Sequence, residues 1–416
     1  MRIAFDAQIL PGGHHGGVEQ VVLNLVRALG RLDGTEEYTL ISHWRYPHWL
    51  EPYIGPNQKI ITSLSHSYSG ATRFGPRWIS VPARRAWRKL REHIAARGGG
   101  APSVPESKGF YESLNADLVH FPFQGYVRSR LPFIYNPHDL QHLHLPQYFP
   151  ADQVALRETI YRAGCREARA ITVPSQWVKR DIVKQYAIAP EKILVTYWAP
   201  STDVYPPVTE QTLAETRRKF NLPATFAFYP AQPWEHKNHL RLIQALAILR
   251  ARAGIELPLV LTGKATEFWR VITRQIQALG LTRQVHFLGF VQPLELRALY
   301  QRAQFVIQPS LFEGGGLPIL EAFREGAPVA CAAATSLPEY AGDAALFFDP
   351  LSPESIADAV KRMWQDDGLR ASLRERGAMR VRAFSWEQTA QKYRALYRRV
   401  AGQALDDHDR ALLADA

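Results

Sequence analysis

The chain has 416 residues, of which 46% are hydrophobic and 21% charged, and this ordinary globular mixture excludes a fibrous or disordered protein. The length exceeds what one hydrophobic core organises, so two or three domains are expected. The formal net charge of +11 favours anionic partners such as phosphorylated substrates, anionic lipid headgroups or nucleic acid.

The cysteine content and the N-terminus indicate the type of compartment. Cys165 and Cys331 are the only cysteines, so no disulfide framework or cysteine-based zinc site is expected, and a reducing cytoplasm is the simplest interpretation. The opening MRIAFDAQIL is a short apolar run interrupted by Asp6, which is typical of a first strand rather than a signal peptide. No run of 18 apolar residues occurs, so any membrane contact is expected to be peripheral.

In the first half of the chain, short β-rich runs alternate with amphipathic helical stretches. Strands are predicted at residues 2–10, 38–42, 59–64, 117–123, 132–137 and 168–175. The first of them is followed by a glycine-rich loop, GGHHGG, and by a helix whose apolar residues share one face. This alternation predicts a parallel, doubly wound sheet.

A stretch rich in proline and small polar residues, 198–210, separates this pattern from a second one of the same kind. Further strands are predicted at residues 226–231, 258–263, 284–289, 304–310 and 328–333. The predicted organisation is therefore a first domain, a second domain, a final helix and a frayed tail, with bounds at 1–200, 201–385, 386–402 and 403–416.

The alternation lapses in a basic insertion at about 64–115. The stretch RFGPRWISVPARRAWRKLREHIAARGGG carries eight Arg or Lys against the single acid Glu92. Its apolar residues predict an amphipathic helix within 73–97 that ends at three glycines. Such a helix can lie on an anionic membrane, or it can pack on the domain with a solvated basic face.

The stretch LFEGGGLPILE, residues 311–321, follows a predicted strand and so lies at the edge where open α/β sheets bind ligands. The glycines of 314–316 leave backbone amides accessible, and Pro318 suits the first turn of the next helix, which together predict a phosphate site. Glu313 and Glu321 flank this site, and carboxylates accept hydrogen bonds from hydroxyls. The spacing suits a nucleotide-sugar; the alternative is a glycine-rich turn with a helix-start glutamate.

Two more strand ends carry polar residues. Lys237 and Asn238 follow the strand at 226–231, where the ammonium suits a diphosphate, although a solvent-facing lysine is the alternative. His138 follows the strand at 132–137 and is expected to donate a hydrogen bond to a sugar hydroxyl or a phosphate.

The other histidines and the N-terminal glycines carry weaker signals. His142 and His144 lack zinc-motif spacing and are expected to be packing or surface residues, and no metal site is predicted. Gly16 and Gly17 do not form the dinucleotide fingerprint, so no NAD site is predicted. They permit close approach of a ligand in a cleft between domains, or they form an ordinary tight turn.

Taken together, these motifs resemble the retaining glycosyltransferase family 4, of glycosyltransferase group 1, with the GT-B fold. The strongest motif is SLFEGGGLPILEAFREGAPV with its Glu-x7-Glu spacing. The other matching stretches are FLGF (287–290), SLPEYAGDAALFFDP (336–350), VPSQWVKRDIV (173–183) and NPHDLQHLHLPQYF (136–149). The resemblance covers nearly the whole chain apart from the basic segment and the tail.

The resemblance implies two Rossmann-like domains facing a central cleft, with the last helix crossing back to the first domain. It implies that the second domain holds the donor, with ribose on Glu321, diphosphate on Lys237 and the loop amides, and the donor sugar on Glu313 and His138. The implied donor-binding residues are Gly17, Gln232, Lys237, Gly314, Gly315, Gly316, Leu317 and Glu321. The implied catalytic residues are His138, Lys237 and Glu313.

The implied reaction moves a hexose from GDP-mannose or a UDP-sugar to a carbohydrate or lipid-linked hydroxyl acceptor, in polysaccharide or glycolipid assembly. Front-face substitution without a metal or other cofactor is expected, because the resemblance supplies no carboxylate for a double displacement. The chain departs from the family in two places. Gln232 stands where many members carry an arginine, and the glycine run lacks an aromatic residue, so a more mobile loop is expected.

Two other classes of function stay open at this point. A GT-B-like epimerase would change the sugar without an acceptor, and a phosphorylase would depend on inorganic phosphate. A non-enzymatic scaffold that binds anionic membranes through its basic segment is the other alternative. Nucleic acid is not expected as a partner, because the basic residues cluster in one segment and no nucleic-acid motif is visible.

Overall fold

A computed structural model describes residues 1–12, 17–63 and 102–414. Within these residues, one sheet of seven parallel strands forms the core of the first domain. The strands are β1 Arg2–Ala7, β2 Glu37–His43, β3 Gln58–Ser63, β4 Leu118–Phe121, β5 Phe133–Tyr135, β6 Ala170–Val173 and β7 Ile193–Val195. Their order across the sheet is β3-β2-β1-β4-β5-β6-β7.

The second domain contains a six-stranded sheet, again parallel throughout. Its strands are β8 Ala227–Pro230, β9 Leu259–Thr262, β10 Val285–Phe287, β11 Phe305–Gln308, β12 Val329–Ala332 and β13 Ala345–Phe348. The order is β10-β9-β8-β11-β12-β13, so β8 and β11 are neighbours and their carboxyl ends lie side by side.

Helices follow most of the strands, as parallel crossovers require. In the first domain they are α1 Gly17–Leu29, α2 Phe110–Ser113, α3 Gln141–His144, α4 Ala151–Glu167 and α5 Gln176–Tyr186. The later helices are α6 Glu210–Phe220, α7 His239–Ala253, α8 Trp269–Ala278, α9 Pro293–Arg302, α10 Leu317–Arg324, α11 Leu337–Ala341, α12 Pro353–Gln365, α13 Asp367–Arg380, α14 Trp386–Val400 and α15 Asp407–Ala414.

The strands form because their short apolar runs are covered on both faces. Every residue of β4 and β11 is buried, which is the pattern expected of a parallel strand between two layers of helices. The loops at the carboxyl ends of these strands are therefore held on rigid supports, and this is where the candidate site lies.

Two sequence expectations fall outside the described residues: the basic helix within 73–97 and the contribution of Gly16. In the described part of the chain, no helix is both long and apolar enough to cross a membrane.

The helix α14 follows the second domain in the chain but packs on the first, as the resemblance implied. Tyr397 and Tyr393 project from it into the first domain. The Tyr397 hydroxyl lies 2.7 Å from Nδ1 of His120, and Asn136 donates to the Tyr393 hydroxyl at 2.8 Å. This helix therefore couples the two domains behind the cleft.

The frayed tail expected at 403–416 is wrong for residues 407–414, which form α15. Asp409 is 1% exposed and accepts a 2.9 Å ion pair from Arg398 of α14. Leu413 is also buried. Because a buried charge is stable only when paired, this contact explains why the segment is ordered on the preceding helix.

The contact between α14 and the first domain predicts a pH dependence of stability. Asn136 Oδ1 lies 3.2 Å from Nε2 of His120 and can only accept, so Nε2 carries the proton and Nδ1 accepts from Tyr397. Burial lowers the pKa of His120 from 6.5 to about 3. The unfolded chain therefore binds a proton at this residue below about pH 6.5 while the folded protein does not, and stability is lost as the pH falls through that window.

The variant His120→Gln isolates this effect. The difference in free energy of unfolding between wild type and variant should decrease by up to about 1.4 kcal/mol per pH unit between about pH 6 and pH 4, and stay constant above about pH 7. Urea unfolding across this range measures it. The exposed His408→Gln controls for the same change of residue type at the surface. If the free energies of unfolding of wild type and His120→Gln instead changed with pH in parallel, the contribution of His120 to the pH dependence would be contradicted.

Candidate functional site

An ion pair joins the carboxyl ends of β8 and β11. Lys237 ends a short 3-10 turn after β8, and Glu313 lies in the loop after β11. The Lys237 ammonium is 2.6 Å from Oε1 of Glu313, and the two side chains are only 14% and 13% exposed. Both residues are predicted from the sequence to belong to the donor site, and the structure brings them into direct contact.

A closed circuit of hydrogen bonds holds this pair. The Tyr229 hydroxyl donates to the backbone oxygen of Lys237 at 2.7 Å and lies 3.3 Å from the Ser310 hydroxyl. Gln308 Nε2 donates to Ser310 at 3.0 Å and to Oε1 of Glu313 at 2.9 Å. Among the described residues, no hydrogen bond is made to Oε2 of Glu313, so this oxygen is left to accept from a ligand.

The backbone of Glu313 is fixed as firmly as its side chain. Its N–H donates to the Thr335 hydroxyl at 3.0 Å, and its carbonyl accepts from Thr335 at 2.9 Å and from Ser336 at 2.8 Å. The two hydroxyls come from the loop between β12 and α11. The carboxylate is therefore preorganised before any ligand arrives.

The three glycines of the loop are buried, and at each of them a neighbouring residue occupies the space that a side chain would need. A Cβ on Gly314 would lie 2.7 Å from the backbone oxygen of His138. At Gly315 it would lie 2.5 Å from Cζ3 of Trp198, and at Gly316 it would lie 2.6 Å from Cγ of Tyr340. No larger residue fits at any of the three.

This packing changes the interpretation of the loop. The absence of an aromatic residue predicts a more mobile segment, but the loop lies beneath the Trp198 ring and against the first domain. The Ser175 hydroxyl, from the first domain, also donates to the carbonyl of Gly314 at 2.9 Å. The loop is therefore held by contacts across the domain boundary.

His138 lies opposite this loop and is 3% exposed. Its backbone is left-handed, with φ of 65°, a conformation that non-glycine residues adopt mostly at turns and functional sites. Its Nε2 is 2.9 Å from the Pro122 carbonyl, and burial lowers the pKa of His138 to about 4. Since the neutral ring already donates its one N–H to Pro122, Nδ1 can only accept. The prediction that His138 donates to the ligand is therefore replaced by one in which it accepts from a hydroxyl.

The N-termini of α1 and α10 meet at the cleft. A Cβ on Gly17 would lie 3.2 Å from Cδ1 of Leu317, so two of the predicted donor-site residues are neighbours across the domain boundary. Gln232 lies just past β8, where a Cβ on Gly263 would approach its backbone within 2.9 Å. All three positions follow the carboxyl ends of strands in the two sheets.

Glu321 lies one turn into α10 and is 7% exposed. Its Oε1 accepts from the Ser201 hydroxyl of the linker, and its Oε2 accepts from the Tyr300 hydroxyl at 2.8 Å. Burial raises the pKa of Glu321. Each carboxylate oxygen has a second lone pair, so a ribose hydroxyl would add to these bonds rather than find an unpaired carboxylate.

The two remaining histidines of the cluster each lie within hydrogen-bond distance of a carboxylate of the first domain. His142 pairs with Glu158 at 3.0 Å and His144 with Asp181 at 2.8 Å. Within residues 1–12, 17–63 and 102–414, no three His, Cys, Asp or Glu side chains converge to hold a metal ion.

The domain boundary next to the site contains a carboxylate that the sequence analysis did not single out. Glu339 of α11 accepts from the backbone N–H groups of Gln176 and Trp177, at 2.6 and 3.0 Å, at the start of α5 in the first domain. The Tyr197 hydroxyl also donates to it at 2.7 Å. A carboxylate at a helix N-terminus is favourable, so this contact stabilises the packing of α11 against the first domain.

Comparison with known proteins fits this geometry. Two family models match consecutive parts of the chain, Glycosyltransferase Family 4 over residues 15–203 and Glycosyl transferases group 1 over residues 214–380. The D-inositol 3-phosphate glycosyltransferase of Corynebacterium aurimucosum is 31% identical over 410 residues, covering 93% of this chain and 92% of that protein. The chain belongs to glycosyltransferase family 4, group 1. The O-antigen chain mannosyltransferase B of Escherichia coli is also 31% identical, over 62% of this chain and 69% of its own length.

Solved structures of similar fold confirm the GT-B architecture of this glycosyltransferase. Sucrose-phosphate synthase from Thermosynechococcus elongatus matches with a TM-score of 0.70 at 20% identity, covering 96% of this chain and 99% of that one. Anabaena HepE in complex with UDP and glucose matches with a TM-score of 0.67 at 19% identity, covering 95% and 99%. At these identities the likeness establishes the fold.

Proposed function

We propose that this glycosyltransferase moves a hexose from a nucleotide-diphosphate sugar, GDP-mannose or a UDP-sugar, to a hydroxyl acceptor with retention of anomeric configuration. One observation carries the proposal: an ammonium and a carboxylate, Lys237 and Glu313, lie 2.6 Å apart at the ligand-binding edge of the second sheet. The loop that follows Glu313 touches His138 of the first domain. A cation for phosphate and a carboxylate for hydroxyls are thereby placed beside the opposing domain.

Each residue has a role that its contacts permit. Lys237 would exchange part of its bond to Glu313 for the donor diphosphate, joined by backbone amides at the start of α10. Oε2 of Glu313 would accept from the hexose hydroxyls, and Nδ1 of His138 would accept from another. Glu321, deeper along α10, would accept from the ribose.

The chemistry assigned to this site is a front-face substitution. The bond between the anomeric carbon and the diphosphate oxygen breaks, and its electron pair leaves with the diphosphate. The acceptor oxygen bonds to the same face of that carbon, and its proton passes to the departing diphosphate. Lys237 and the amides would stabilise the growing charge, which is the role that a metal ion has in other phosphate chemistry.

The acceptor is proposed to lie against the first domain, in a polysaccharide or glycolipid pathway. Two names among the relatives support this setting: an O-antigen chain mannosyltransferase and a D-inositol 3-phosphate glycosyltransferase. Mannosides and inositol phosphate are therefore the first acceptor probes to use. Peripheral contact of the basic segment with an anionic membrane stays a proposal to test with vesicles.

A thermal-shift screen tests the donor site directly. GDP, UDP, GDP-mannose and UDP-glucose are incubated with the full chain, and the correct nucleotide at a hundred times its Kd should stabilise by ~2.7 kcal/mol. The donor that binds is then supplied with each acceptor, with and without EDTA. Release of nucleoside diphosphate that needs an acceptor and resists EDTA is expected, and NMR of the anomeric proton should show retention.

The same assay separates the alternatives. Interconversion of the donor sugar without an acceptor would identify an epimerase, and turnover that requires inorganic phosphate would identify a phosphorylase. Vesicle binding combined with no nucleotide binding at all would favour the scaffold and overturn the proposed function.

A further inference from the structure

The indole of Trp198, in the linker between the domains, lies between two parts of the candidate donor site. One side of the ring covers Gly315, where a Cβ would lie 2.5 Å from Cζ3 and overlap Cε3. The His138 ring lies next to the indole, with centroids 5.6 Å apart. The Trp198 backbone N–H donates to the Tyr340 hydroxyl at 3.2 Å, and the Tyr340 ring covers Gly316.

We propose that Trp198 is a positioning residue that sets the separation between the glycine loop and His138, and so aligns the donor sugar with the diphosphate amides. The inference rests on the proposed function. Gly315 and Trp198 are a matched pair: the glycine exists because the indole fills the space that its side chain would take.

The contacts of the linker support a role in alignment beyond general packing. Tyr340 accepts from Trp198 and donates to the Pro174 carbonyl of the first domain at 2.7 Å. Loop, linker and first domain therefore meet at one place, and a shift of the indole moves the loop amides relative to His138. Because near-attack geometry is sensitive to displacements of about 1 Å, removing the indole should affect turnover more than binding.

Exchanging the large and the small side chain between positions 198 and 315 tests the proposal. In Trp198→Ala, kcat for transfer should fall about 10- to 100-fold while KM for the donor changes less than about threefold. Gly315→Phe alone should lower Tm and activity, because its ring overlaps the indole. The double variant Trp198→Ala/Gly315→Phe should regain at least about tenfold in kcat over either single variant, with a Tm near that of Trp198→Ala.

Trp364→Ala is the matched control, because this half-buried tryptophan lies at the opposite edge of the second sheet, where its carbonyl accepts from Gln304 just before β11. It should lower Tm and leave kcat unchanged. If Trp198 had a merely structural role, Trp198→Ala would show this same pattern, so a lowered Tm with wild-type kcat and KM in that variant overturns the inference. A double variant whose kcat is no higher than that of Gly315→Phe also overturns it. If wild type binds no nucleotide or nucleotide-sugar, the proposed function fails first and this inference with it.

Discussion

Replacing Lys237 by alanine is expected to lower kcat by about 100- to 1,000-fold while the protein stays folded. The ammonium lies at the ligand-binding edge, 2.6 Å from Glu313, and removal of one donor to a developing negative charge costs this much in other enzymes. The same substitution should weaken nucleoside diphosphate binding, because the diphosphate loses its point charge. Steady-state kinetics and a thermal-shift titration with the nucleotide measure the two effects.

The fold of this variant should survive because Glu313 keeps the hydrogen bond from Gln308 at 2.9 Å, so its charge is not left without a partner. The exposed Lys361→Ala, on α12, is the matched control and should behave as wild type. Full turnover in Lys237→Ala would remove this residue from the mechanism, and the leaving diphosphate would then need another cation.

The strand–loop–helix pattern was predictable because each strand has its own apolar run and each loop its own turn residues. The exceptions were β7 and β13, which received no prediction. Length does not explain the difference, because β5 and β10 also have only three residues and were predicted. The tail helix α15 was missed because a residue of another helix, Arg398, provides its buried partner.

The candidate site, like the fold, was predictable only in part. The positions of Lys237 and Glu313 could be derived from the sequence, since both lie in the loops that follow predicted strands and carry the charges that a nucleotide-sugar requires. Their contact, and the hydrogen bond from Gln308 to Glu313, could not be derived from the sequence, because β8 and β11 become neighbours only through the order of strands in the sheet. The one available signal for Gln308 was a polar residue at the end of an otherwise apolar strand.

The glycine loop shows more clearly what the sequence does not reveal. From the sequence, the three glycines of 314–316 indicated accessible amides. In the structure they are also the places where Trp198, Tyr340 and the backbone of His138 approach, which explains glycine at each position without any left-handed φ. Two of these partners lie more than a hundred residues away in the chain. Sequence alone could therefore identify the loop but could not say what covers it.

The second large loss of transfer activity is expected on substitution of Glu313, and the effect on nucleotide affinity distinguishes this residue from Lys237. In Glu313→Gln the carboxylate that accepts from the hexose becomes a neutral amide, and loss of a hydrogen bond to a charged group costs about 1.5–3 kcal/mol. Transfer measured as kcat/KM for the donor should therefore fall about 10- to 150-fold. Affinity for the free nucleoside diphosphate should stay the same or increase, because Lys237 is released from its ion pair.

The decisive observation is that nucleotide affinity falls in one variant and does not fall in the other. Lys237→Ala should bind the nucleoside diphosphate more weakly, whereas Glu313→Gln should bind it at least as well and still fail to transfer the sugar. The exposed Glu375→Gln, on α13, controls for a general charge effect and should change neither quantity. If Glu313→Gln instead lost nucleotide affinity and kept its turnover per bound donor, Glu313 would act on the diphosphate side of the site. The hexose hydroxyls would then need a different acceptor, such as Nδ1 of His138, whose Nε2 already donates to Pro122.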